Sequence, residues 1–144
     1  TTRFRHEFDW TGTRDLSAHC SLPATINHVG RLVEGGWPAI MQHNHDLAIR
    51  GRNILCEALG LTPPCPDEMV ACIATLVLPL GVDEDVVVHE RDPLHVTLKE
   101  KYGIQVPVWS WPSPRGRYFR ISAQLYNSEE EYRYLAWALQ QELA

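Results

Sequence analysis

The run from Tyr118 to Leu125 alternates cleanly, with Phe119, Ile121, Ala123 and Leu125 at one parity and Tyr118, Arg120, Ser122 and Gln124 at the other. That period belongs to a half-buried strand, and it puts Arg120 in mid-strand among hydrogen-bonding side chains. A guanidinium held on a sheet can grip a carboxylate through two parallel hydrogen bonds, which a mobile ammonium cannot reproduce. The competing reading is a solvated arginine on a polar strand face. A second candidate is Thr11-Gly12-Thr13, where two hydroxyls flank a glycine ahead of a helical stretch. Such a turn can donate backbone N–H and hydroxyl bonds to a phosphate, although most turns of this composition are only turns.

Metal and hydrolase chemistry find little support. His43 and His45 are two residues apart within a helical pattern, and His19 precedes Cys20, while Cys65 and Cys72 frame a loop. Positions two apart on a helix diverge by about 200°, and no C-x-x-C or H-x-x-x-H spacing occurs, so no metal site is expected. No G-x-S-x-G turn exposes a serine. Trp37, Trp109, Trp111 and Trp137 read as core or interface anchors.

The elements that must hold these residues follow from periodicity and punctuation. Residues 1–15 are expected as a lead-in strand and loop carrying the Thr-Gly-Thr turn. Leu22, Ile26, Val29 and Val33 predict a helix between Leu16 and Glu34, stopped by Gly35-Gly36 and either kinked or started by Pro23. Trp37 to Leu59 predicts a longer amphipathic helix with a stripe that includes Ile40, Leu47 and Leu55, ended by Gly60 and Pro63-Pro64. The branched apolar run Ala71 to Leu80 predicts a strand covered on both faces at the centre of a sheet. Asp92-Pro93 is an N-cap followed by a first-turn proline, and it opens a short helix through Leu94, Leu98 and Tyr102 to Gly103. Gln105–Trp111 and Tyr118–Leu125 predict a hairpin around a Pro-Ser-Pro-Arg-Gly turn. Ser128 and Glu131 form a capping box for a last helix with Tyr132, Leu135, Ala136, Leu139 and Leu143 facing inward. The order predicts an α+β fold, a small antiparallel or mixed sheet of about three strands with helices packed on one side.

At 144 residues, with 44% hydrophobic and 22% charged residues, the chain has the size and composition of one ordinary globular domain. A net charge of -5 with scattered Arg pairs disfavours nucleic acid as a partner. Four cysteines, Cys20, Cys56, Cys65 and Cys72, are expected as free thiols of a reducing compartment. The longest apolar stretch falls well short of the ~20 residues of a membrane span. No targeting segment is visible, so a cytoplasmic location is the default. A chain that opens on Thr1 is expected to have been processed, trimmed or cut from something longer.

Three segments, FDWTGTRDLSA (8–18), GWPAIMQHNHDLAIRGRNILCEALG (36–60) and YGIQVPVWSWPSPRGRYFRISAQLYNSEEEYRYL (102–135), are together similar to the C-terminal part of class V aminotransferases. The similarity is greatest to the isopenicillin N epimerase subgroup, and only residues 61–90 match weakly. The resemblance implies the C-terminal small domain of a fold type I pyridoxal 5'-phosphate (PLP) enzyme, here residues 16–144, working as a homodimer on an amino acid. It implies that Gly12 and Thr13 reach the cofactor phosphate of the other subunit and that Arg120 binds the substrate α-carboxylate.

PLP chemistry also needs a lysine that bonds the cofactor and an aspartate at its ring nitrogen. The only lysines are Lys99 and Lys101, outside any matching motif. In the family the cofactor lysine and aspartate belong to a large domain that precedes this region. The chain is therefore expected to lack that domain, to bind no PLP and to be inactive alone. Cysteine desulfurases in the same family carry a nucleophilic cysteine before the R-I-S strand. Residues 104–119 contain none, which leaves epimerisation, C–S lysis and amino transfer open. The alternative from another class is a stand-alone, non-catalytic binding or assembly module derived from such an enzyme.

Overall fold

In the computed structural model, which describes residues 2–10, 12–79, 92–112 and 115–143, the alternation beginning at Tyr118 sets the middle of a sheet. Strand β1 (Ile73–Leu78), β2 (Val108–Pro112) and β3 (Arg115–Ser122) pair antiparallel in the order β1-β3-β2. The hairpin of β2 and β3 is as expected, with β3 starting and ending about three residues earlier than its apolar period suggests. Ser113 and Pro114 of the expected turn lie outside the described residues.

The expectation for the run at 71–80 requires correction. The strand formed there, β1, lies at the edge of the sheet among the described residues, and its burial alternates: Ala74, Leu76 and Leu78 are buried, while Ile73 and Val77 remain 45% and 40% exposed. Branched residues at both parities suit a strand covered on two sides, but they suit the pleat of a one-sided strand equally well. Periodicity within an apolar run therefore could not tell one cover from two.

The buried face of the sheet is closed by helices. Helix α3 (Gly36–Leu59) contributes Leu47, Ala48, Leu55 and Cys56, α4 (Pro93–Tyr102) contributes Leu94 and Leu98, and α5 (Glu129–Leu143) contributes Tyr132, Leu135, Ala136, Ala138 and Leu139. These side chains share one cluster with Leu76, Phe119 and Ile121. The α+β arrangement with helices against a three-stranded sheet is thus the observed one.

The caps follow the sequence signals. The Asp92 carboxylate accepts from the Leu94 N–H at 2.9 Å ahead of Pro93. Gly103 closes α4 in a left-handed conformation, its N–H bonding the Lys99 carbonyl and the Ile104 N–H reaching the Leu98 carbonyl, an ending of the αL type. At α5 the Glu131 carboxylate accepts from the Ser128 N–H at 2.9 Å.

The chain divides into two compact units, Thr1–Trp37 and Pro38–Ala144, and everything described so far apart from the first turn of α3 belongs to the second. In the first unit the expected lead-in strand is instead a helix, α1 (Arg3–Phe8). Ion pairs at i,i+4, Arg3 with Glu7 and Arg5 with Asp9, and the Phe4–Phe8 ring contact at 4.9 Å favour the helix over an extended segment. The next helix, α2, runs Ser17–Val29 through Pro23 and stops at Gly30, short of the predicted Gly35-Gly36. Trp37 folds back onto that end: its indole N–H donates to the Ile26 carbonyl at 3.0 Å, and its ring lies where a Cβ on Gly30 would stand. Neither α1 nor α2 buries a residue.

Candidate functional site

One face of the sheet is covered by helices, and the chemistry-bearing residues lie on the other. Direct cross-strand partners share a face. The register Ile73↔Ser122, Thr75↔Arg120, Val77↔Tyr118 and Trp109↔Tyr118 therefore places Arg120 in the middle of an open face. Its immediate neighbours there are Thr75, Tyr118 and Ser122. The Arg120 N–H donates to the Pro107 carbonyl at 3.2 Å, which fixes the backbone beneath the side chain. Among the described residues the Arg120 guanidinium has no hydrogen-bond or ion-pair partner. It is exposed. Toward the start of β3, Tyr118 stacks on Trp109 with ring centroids 6.0 Å apart, and the Tyr118 ring lies over Gly116.

Arg117, three residues earlier, has the opposite fate. It has the parity of Phe119 and Ile121, and it meets Asp92 through Nε at 2.7 Å and Nη2 at 2.5 Å, with both side chains largely out of water. Asp92 thereby serves as helix cap and counter-ion together. Arg52 on α3 is likewise consumed. It is buried, it bonds the Asp67 carboxylate, and it donates to the Cys65 carbonyl at 3.2 Å. Of these three arginines of the second unit, Arg120 alone presents an unspent bidentate donor.

Gly12 and Thr13 belong to the first unit, and Thr11 lies outside the described residues. Gly12 has φ 96°, a left-handed backbone that an L side chain would resist, and Thr13 is exposed. Just beyond, the Asp15 carboxylate accepts from the Ser17 N–H at 2.9 Å and from its hydroxyl. Those two bonds, the hydroxyl bond foremost, hold the Asp15 carboxyl below its usual range.

Two histidines and one cysteine play structural parts. The Nδ1 atoms of His45 and His95 lie 2.8 and 2.7 Å from the carbonyls of Val70 and Val106, tying loop to helix. Among the described residues no group of three His, Cys, Asp or Glu is placed to hold a metal, and all four cysteines are free. Burial pushes the Cys56 thiol up, against the nearby Arg52 charge, which suits a packed thiol and not a nucleophile. No helix among the described residues is long and apolar enough to cross a membrane.

Sequence reasoning missed Thr75, because its pairing with Arg120 depends on the register of two strands 45 residues apart in sequence. It also missed the Asp92–Arg117 pair, although Asp92 was legible as a cap.

No protein-family model matches the chain. Against curated proteins, it is 35% identical over 141 residues to the "Probable L-cysteine desulfhydrase, chloroplastic" of Arabidopsis thaliana, covering 92% of this chain and 29% of that protein. It is 33% identical over 150 residues to an L-cysteine desulfhydrase of the same plant, covering 92% and 32%. To the isopenicillin N epimerase of Streptomyces clavuligerus it is 32% identical over 130 residues, covering 89% and 30%. The chain is homologous to the C-terminal portion of these class V aminotransferase-like enzymes. It spans less than a third of the length of the curated relatives it matches. The expected kinship with the epimerase stands, and the two Arabidopsis desulfhydrases match at slightly higher identity.

Proposed function

We propose that this chain is the carboxylate-binding C-terminal portion of a PLP-dependent C–S lyase acting on a small thiol amino acid of the cysteine type. The observation that carries the reading is the unspent Arg120 guanidinium, fixed at mid-strand on the open sheet face. Its fork matches an α-carboxylate, and the strand fixes the backbone from which it reaches, on the open side of the sheet. Homology to desulfhydrases favours lysis of the C–S bond over epimerisation.

The chain's residues fit only part of a PLP site. Lys101 pairs with Glu142 at 2.8 Å, and both it and Lys99 sit in the last turn of α4, in the helical layer, so neither amine shares the Arg120 face. The lysine that bonds the cofactor is then a residue of the enzyme outside this chain, as are the groups that move the substrate's protons. Bound PLP supplies the electron sink that stabilises negative charge at the substrate Cα. The role of this chain is to bind and orient: Arg120 anchors the carboxylate, and Gly12 with Thr13 offer a backbone N–H and a hydroxyl to the cofactor phosphate of a second subunit.

Arg120→Ala in the holoenzyme is expected to lower kcat/KM for L-cysteine at least about 100-fold, as loss of a charged bidentate contact. Arg120→Lys recovers only part of it. Sulfide release against inversion at Cα, followed in the same assay, separates lyase from epimerase. Unchanged kcat/KM in Arg120→Ala would sink the assignment.

A further inference from the structure

The carboxylate site has a second member that neither the sequence motifs nor the relatives assign. Arg120 sends its N–H toward β2, to the Pro107 carbonyl. In an antiparallel strand the N–H and C=O of a residue point the same way, so on its β1 side Arg120 faces Thr75 as a non-hydrogen-bonded pair. Such pairs bring their Cα atoms to about 4.5 Å and their side chains closest together. Thr75 is only half-buried, and among the described residues its hydroxyl has no partner. An unspent hydroxyl therefore stands beside the root of an unspent guanidinium. On the other flank the Tyr118 ring lies back over Gly116 and stacks on Trp109, away from Ser122, so it does not fill the space between Thr75 and Arg120.

We propose that Thr75 is a substrate-binding residue: its hydroxyl donates to one oxygen of a carboxylate that approaches Arg120 side-on, through Nε and one Nη, from the β1 side. This proposal rests on the reading of Arg120 given above and adds its geometry. An end-on carboxylate would sit beyond the guanidinium tip, out of reach of a two-atom side chain. A side-on one lies beside the Nε end of the Arg120 stem, lower over the sheet and on the flank from which the Thr75 hydroxyl rises. The flanking Ile73 and Val77, on the same face of β1, then give that oxygen an apolar border that strengthens the bond. The site so built favours a compact carboxylate carried directly on the reacting carbon.

The test is equilibrium binding to the holoenzyme of 3-mercaptopropionate, which has the carboxylate and thiol but no amine to react, with cysteamine, which lacks the carboxylate, as control. Thr75→Val keeps the β-branched shape on an edge strand and removes only the hydroxyl, and unchanged thermal unfolding verifies that the fold is kept. Thr75→Val is expected to weaken 3-mercaptopropionate about tenfold while leaving cysteamine alone, and Thr75→Ser to restore affinity to within about twofold. Arg120→Ala serves as the parallel arm. Weakening by Arg120→Ala with unchanged affinity in Thr75→Val, or a loss that Thr75→Ser does not restore, overturns the role of Thr75 and leaves Arg120 standing. No loss in either variant overturns both.

Discussion

Two arginines three residues apart on β3 show how parity decides the work a charge can do. Arg117 turns inward and is neutralised by Asp92, and Arg120 turns outward and stays available. Removing one partner of a largely buried pair strands the other charge, which is more costly than losing the pair. Asp92→Asn is therefore expected to destabilise the chain by about 3–5 kcal/mol, seen as a lower urea midpoint at unchanged slope. The other residue with a pronounced environment is Tyr132, whose phenol is pushed up to about 12, first by burial and then by the Glu131 charge, while its hydroxyl donates to the Ser122 carbonyl at 2.8 Å. In the unfolded chain a tyrosine loses its proton near 10. The stabilising term is thus fully present below about pH 10 and is lost as pH rises from there through 12. Unfolding measured across that window should show a falling stability that Tyr132→Phe flattens, and an identical slope in both proteins would contradict the assignment.

At the scale of elements, α3 and α5 approach each other where a side chain is absent. A Cβ on Gly51 would stand 2.9 Å from the Tyr132 ring and 3.1 Å from Ile121 Cδ1. Neither neighbour can retreat easily, since the Tyr132 hydroxyl is bonded to β3 and Ile121 is buried. Gly51→Ala gains helix propensity, worth up to about 1 kcal/mol, and loses more to overpacking, so a net loss of about 1–2 kcal/mol in thermal or urea unfolding is expected. The same contact holds the end of β3 at a fixed height at Ser122, two residues from Arg120, the residue proposed to bind the carboxylate. Asn44 adds to it from α3 by donating to Gln124 Oε1 at 2.8 Å. That oxygen also accepts the Leu125 N–H, and the Asn44 carbonyl oxygen is left buried without a partner among the described residues.

The molecule as a whole joins a unit with a core to one without. Residues 38–144 hold the apolar cluster. In residues 1–37 neither helix buries a side chain, and Phe4, Phe8, Trp10, Leu22 and Ile26 stand more than half exposed. Short helices without tertiary burial are marginal in water. Amide exchange on the 144-residue chain should therefore leave α1 and α2 nearly unprotected while β3 and the middle of α3 exchange only through global unfolding. Equal protection in both units would show that the first unit is stabilised by more than its own contacts. If the chain is the C-terminal portion of a larger enzyme, the same amides should gain protection in the full-length protein.

Local chemistry was enough to specify α3, the caps of α4 and α5, the hairpin, and the parity that separates Arg120 from Phe119. Each depends on residues within a few positions of one another: a 3.6 or 2.0 period, an aspartate before a proline, a serine three residues before a glutamate. Other features came only with the tertiary structure. The run at 71–80 became a strand buried on one side, α2 ended early at Gly30, and α1 replaced an extended lead-in. Arg117 was spent on Asp92, and Thr75 was set opposite Arg120. These depend on which segments meet across tens of residues, and a chain's local periodicity carries no record of which of its neighbours will cover it.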